Sequence, residues 1–223
     1  MRRSIPVRFH LVAFLLSSSI LSPSAARGEE PLVERYRADL EELERARVQA
    51  AEALRAALGR SERAAVLEAA RSSLLAALTG KLIPAWFGTR WAFHGTSQIP
   101  GEGTIACGYF VTTVLRDAGL RVERVKLAQQ ASERIVQTLV PEKWIVRFSN
   151  LSQSEVVAAL RAREGEGLFV VGLDYHVGFL HLGPDEARFC HSAFLEPVAV
   201  LCEPAAESAG FASGYTVAGK AAL

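Results

Sequence analysis

The sequence predicts an α+β protein in which one helix packs on an antiparallel sheet, preceded by an N-terminal helical hairpin. Three observations carry that expectation. Residues 31 to 79 are dense in Ala, Leu, Glu and Arg, with no proline after Pro31, a helical composition. From Leu168 onward, short β-branched and aromatic runs alternate with turn sequences such as Gly183-Pro184-Asp185, the mark of a meander. Between the two, a single cysteine, Cys107, follows the irregular stretch Pro100, Gly101, Gly103 and precedes the helical spacing Phe110, Val111, Val114, Leu115. Helices first and strands after imply α+β.

In chain order, residues 1 to 26 have the layout of an export signal. Arg2, Arg3 and Arg8 form a basic start, Leu11 to Leu16 a short apolar core and Ser24-Ala25-Ala26 a cleavage site. No cysteine stands near that site, so the expected product is secreted or periplasmic and not lipidated. The whole chain has a formal net charge of +1, which becomes −2 without those three arginines. That balance offers nothing to nucleic acid or an anionic membrane surface. No later stretch is apolar for long enough to span a bilayer. The remaining chain divides into a hairpin, 27–80, and a second domain, 81–223.

In the hairpin, Tyr36, Leu40, Leu43, Ala50, Leu54 and Leu58 form an apolar stripe interrupted by Arg47, ending at Gly59. Ser61 is placed to cap a second helix that turns Val66, Ala70, Leu74 and Leu78 inward and stops at Gly80. Such a hairpin is first a packing appendage; its functional alternative is an arm that contacts a protein partner or covers the site. Pro84, Trp86, Phe87, Trp91 and Phe93 then mark an irregular, aromatic-rich region. After the Cys107 helix, which Gly119 ends, the expected elements are a short strand or extended link at 121–127, a helix at 129–139 and a strand at 144–148. Ser152 and Glu155 form a capping box for a helix that stops before Gly165. The strands follow at 168–173, 176–182, 188–193, 198–202 and 215–217.

Three cysteines leave one unpaired if two bond. A turn centred near Glu196 brings Cys190 opposite Cys202, a cross-strand pair able to form a disulfide. Cys107 is then the odd thiol. At a helix start, free amides and the helix dipole favour a thiolate and can hold an oxyanion. Its base should come from the sheet, oriented by a third polar group. Asp174-Tyr175-His176-Val177-Gly178 supplies one: alternation puts His176 and Gly178 on one face, and the returning strand brings His191 roughly opposite His176. Cys107 is thus the candidate nucleophile, His176 the base and His191 the group that orients it, with Asp174 as the substitute for the third place. A Cys-His-His zinc site would use the same residues, but it lacks close-spaced ligand pairs such as C-x-x-C. No metal or cofactor is expected.

On these residues the region from 88 to about 217 resembles the NlpC/P60 superfamily of papain-like cysteine peptidases. Trp91-Ala-Phe-His-Gly-Thr is similar to the family's Tyr-x-x-Gly-Gly segment, and Ala106-Cys107-Gly108-Tyr109-Phe110-Val111 stands in place of Asp-Cys-Ser-Gly-Phe-Val. Asp117-Ala118-Gly119-Leu120 is similar to its helix end, and His176-Val-Gly-Phe with His191-Ser to its two histidine strands. The resemblance implies a papain-like fold, the same Cys107, His176, His191 triad, and cell-wall peptide as substrate. Ala106, Gly108 and Trp91 depart from the family's Asp, Ser and Tyr. Trp91, His94, Gly108, Tyr109 and Asp174 are the candidates for substrate contact. The expected activity is a cysteine peptidase or amidase. A thiol acyltransferase on the same residues and a non-catalytic binding module are the alternatives.

Overall fold

The computed structural model describes residues 31–221, so the export signal expected at 1–26 lies outside the described residues. Six strands form one antiparallel sheet: β1 Ile145–Ser149, β2 Gly167–Leu173, β3 Val177–Leu182, β4 Ala187–Ser192, β5 Val200–Pro204 and β6 Tyr215–Lys220. Their order is β1-β6-β2-β3-β4-β5. β2 is buried along its whole length, which is why Leu168 to Val171 is an unbroken apolar run rather than an alternating one. The β4–β5 hairpin pairs Cys190 with Cys202, and the two form the expected disulfide. Such a bond belongs to an oxidising compartment.

Each face of the sheet carries its own core. On one lies α4, Cys107–Asp117, whose Phe110, Val111 and Val114 pack in one cluster with Val170, Phe179 and Cys190. On the other, α7, Gln153–Glu164, sets Val156 and Leu160 against Phe169, Leu180, Phe189 and Phe211. The Ser152–Glu155 capping box is present, and the helix ends at Gly165 with φ 70. The spacing in α4 predicts one buried stripe, yet all eight residues from Gly108 to Leu115 are buried. The helix is covered from above as well, by Tyr36, Leu78, Leu82 and Trp86 of the hairpin base.

Several local expectations are corrected. Residues 124–128 form a short helix, α5 Arg124–Ala128, instead of a short strand or extended link. It is anchored by the Arg124 guanidinium, which donates to Thr113 Oγ1 at 2.7 Å and to the carbonyls of Thr96 and Ser97 at 2.9 and 2.7 Å. The helix expected at 129–139 starts later, as α6 Ser132–Leu139. Trp144 lies in a 3-10 turn before β1 and is exposed. His176 immediately precedes β3 rather than opening it.

The hairpin consists of α1, Leu32–Ala56, and α2, Arg60–Ala77. Gly80 does not end the second helix: a π-turn at Leu78–Leu82 and α3, Ile83–Ala85, continue it until Trp86 enters the core. The buried side chains Leu78, Leu82 and Ile83 hold this stretch in place, outweighing the helix-weakening glycine. Ser61 makes no cap; the N-cap is Gly59, and the Leu58 N–H donates instead to Glu62 at 3.0 Å. Leu58 is 95% exposed and lies outside the stripe. Arg47 interrupts that stripe because its guanidinium lies against Gly119, where a Cβ would come within 2.5 Å of it. A cation beside the C-terminus of α4 complements the helix dipole.

Candidate active site

Cys107 is the first residue of α4, after an extended Ala106 with φ −81 and ψ 159. Its thiol is free and half-buried, and it opens on a cleft of about 730 Å³. Burial pushes the thiol pKa up; the backbone N–H groups of Val177, Gly108 and Cys107 itself act the other way. Gly108 is required here by packing, because a Cβ would collide with the Ala128 carbonyl at the end of α5.

The two histidines meet at the cleft that Cys107 lines, to which His176 also contributes. Nε2 of His176 and Nδ1 of His191 are 2.7 Å apart, and Nε2 of His191 is 3.1 Å from Oε1 of Glu203. That oxygen also accepts from Ser208 Oγ at 2.6 Å. The carboxylate can only accept, so His191 carries its proton on Nε2 and offers the Nδ1 lone pair to the Nε2–H of His176. The Nδ1 of His176 is therefore an unprotonated lone pair. It is buried and has no hydrogen-bond partner among the described residues. A hydrogen-bonded relay thus ends in a vacant base on a side chain that lines the same cleft as Cys107.

Aromatic packing encloses this relay. His176 is 4% exposed and His191 1%. Phe194 and Phe189 meet the His176 ring edge-on at 5.2 and 6.0 Å, Phe189 stacks on His191 at 4.6 Å, and a Cβ at Gly210 would reach His191 at 2.5 Å. Burial, then the charge of His191, lowers the His176 pKa to about 3, so the ring is neutral at neutral pH. Burial also lowers that of His191, against the bond and charge of Glu203, which raise it. The His176–His191 pairing is diagonal. The β3–β4 register sets Phe179 against Cys190, so one step further Gly178 faces His191. The space at Gly178 is taken by the Phe189 ring, which a Cβ would meet at 2.7 Å.

Of the expected contact residues, Trp91, His94, Gly108 and Tyr109 all line the cleft. His94 is exposed at the rim, edge-on to Phe93 at 4.9 Å. The Tyr109 hydroxyl accepts from Gln129 at 3.1 Å. Asp174 does not join them. Its carboxylate accepts from Ser213 Oγ and from the Gly214 and Tyr215 amides at 2.8, 2.8 and 3.2 Å, bonds that hold its pKa down and fasten the turn before His176 to the start of β6.

Sequence reasoning missed Glu203 and the cleft residues Tyr175 and Phe194. The signal for Glu203 was available: with Cys190 opposite Cys202, position 203 lies diagonally from His191 on the same face of the hairpin. No protein-family model matches the chain, and no curated protein matches it in sequence.

Proposed function

We propose that this protein is an exported thiol hydrolase that cleaves a peptide or amide bond with Cys107 as nucleophile, His176 as base and then acid, and His191 as the orienting residue. The observation that carries the reading is the buried, unpartnered Nδ1 of His176, held by the His191–Glu203 chain on a side chain that lines the same cleft as a free thiol at a helix start. The resting pair is thiol and neutral imidazole. As the sulfur bonds to the substrate carbonyl carbon, its proton passes to Nδ1 of His176, and the imidazolium is stabilised through His191 and Glu203. The Cys107 amide at the start of α4 contributes to holding the oxyanion. His176 returns the proton to the departing amine, leaving a thioester. Water, deprotonated by His176, then releases the acid and restores the thiol.

The disulfide agrees with an exported protein. Among the described residues no helix is long and apolar enough to cross a membrane. Alkylation with iodoacetamide at neutral pH tests the site: Cys107 should be modified fast in the native chain and slowly in His176→Ala. Equally slow modification in both would sink the reading and leave a binding module. Cell-wall peptide is the substrate class suggested by the NlpC/P60 resemblance, and new amines released from purified peptidoglycan would support it. A thiol acyltransferase is the second reading, favoured by the aromatic lining of the cleft; transfer to an added amine in preference to water would select it.

A further inference from the structure

The cleft beside Cys107 has a chemical character of its own. Trp91, Phe93, Tyr109, Tyr175 and Phe194 supply five aromatic side chains to its walls, and no Asp, Glu, Lys or Arg stands among the described residues that line it. The cation that touches one of these rings is committed elsewhere: Arg124 lies under Tyr109, 4.9 Å from its centroid, donating to Thr113, Thr96 and Ser97. Three of the rings are open to solvent, with Phe93 75%, Tyr175 95% and Phe194 41% exposed. Phe194 packs at once on Trp91, at 6.2 Å, and on His176, at 5.2 Å, so the apolar wall runs up to the base. A space of about 730 Å³ has the size of a small-molecule site.

We propose that the cleft receives an uncharged apolar group, aromatic or aliphatic, on the acyl side of the bond that Cys107 attacks. The proposal rests on the thiol-hydrolase reading for its chemistry and narrows its substrate. A carboxylate or ammonium placed there loses water and finds no opposite charge, an unfavourable exchange. An apolar group instead covers rings that water now touches. Stem peptides that present a carboxylate at this position are poor occupants on the same grounds.

Binding and chemistry are tested separately. In the full chain carrying Cys107→Ala, calorimetric titration with hexanamide, phenylacetamide and succinamate compares an aliphatic, an aromatic and an anionic acyl group. Either neutral amide is expected to bind at least about tenfold more tightly than succinamate, and adding Tyr175→Ser or Phe93→Ser should reduce that advantage severalfold. Which neutral amide binds better identifies the source of the apolar group. In the native chain, p-nitrophenyl hexanoate should acylate Cys107 faster than p-nitrophenyl 4-sulfobutanoate: the sulfur–carbon bond forms as the thiol proton passes to His176, the ester C–O bond breaks and p-nitrophenolate leaves in a burst. Succinamate binding as tightly as the neutral amides overturns the inference, while alkylation that still depends on His176 leaves the hydrolase reading standing. Apolar preference without His176-dependent alkylation has the reverse meaning, supporting the ligand class and removing the hydrolase.

Discussion

The helices α2 and α4 are built on opposite principles. α2 buries none of its 18 residues, and the hairpin around it is rich in helix-forming Ala, Leu, Glu and Arg, with ion pairs such as Arg45–Glu41 and Arg71–Glu68 at 3.8 Å. α4 buries eight of 11, and its sequence Cys-Gly-Tyr-Phe-Val-Thr-Thr-Val is poor in strong helix formers. The first is helical through local preference; the second is helical because a sheet and the hairpin base enclose it. The free thiol of Cys107 sits on the element whose position the tertiary structure decides, so the largest effects should come from residues around α4 and fade toward the hairpin tip.

The sharpest break in that comparison is at the site itself. Cys107→Ala and His176→Ala should each lower kcat/KM about 10⁴-fold, with the melting transition close to native in Cys107→Ala. Loss of activity with preserved folding separates chemistry from architecture. Residual activity within tenfold of native in either variant would show that another group performs the step.

Acid stability is the next effect. A neutral buried His176 has a folded pKa of about 3 against an ordinary 6.5, so the unfolded chain binds the proton and the folded one does not. The sign follows: this group contributes nothing above about pH 6.5, and stability falls as pH drops from there toward 3. The slope is about 1.4 kcal/mol per pH unit per histidine, and His191, also lowered, adds in the same direction. Chemical denaturation between pH 7 and 4 should show this decline, and His176→Gln should reduce its slope. An unchanged slope would mean that His176 is charged in the folded protein.

Much of this geometry was legible beforehand. Cys107 could be placed because glycines and a proline precede a 3.6-residue pattern, and the Cys190–Cys202 register because a short turn leaves little choice of pairing. The two histidines followed from that register, though it pairs His191 with Gly178, leaving His176 on the diagonal. The failures share a cause in long-range contacts. Asp174 was assigned to the site by its nearness in sequence to His176, but residues 213 to 215, forty positions away, claim its carboxylate. Gly80 signals a helix end, and the buried side chains of Leu78, Leu82 and Ile83 override it. Glu203 escaped notice although the Cys190–Cys202 register sets it diagonally from His191, because its role shows only when the side-chain relay is followed from β3 through β4 to β5.

Glu203→Gln tests that relay with a smaller change. The amide oxygen can still accept from His191, so geometry is kept while the charge opposite the imidazolium is lost. A ten- to hundredfold fall in kcat with little change in KM is the expected result, accompanied by a shifted pH profile that a purely structural role would not produce. Equal native and variant profiles would reduce Glu203 to a packing residue.

The smallest effects belong to the hairpin, and they mark where it stops being independent. Tyr36 donates to Asp117 of α4 at 2.7 Å and accepts from Trp86 Nε1 at 3.3 Å. Its hydroxyl therefore bridges the two kinds of helix, and burial raises its pKa further than the neighbouring Asp117 charge does. Tyr36→Phe should cost about 1–2 kcal/mol, since it strips a buried carboxylate and an indole N–H of a partner. Leu58, at the turn and 95% exposed, touches neither core, and Leu58→Ser should change stability by less than about 0.5 kcal/mol. Urea midpoints of the two variants set the scale. If Leu58→Ser proves as costly as Tyr36→Phe, the tip is covered by something in solution, and the contrast between a self-supporting arm and an enclosed helix would have to be redrawn.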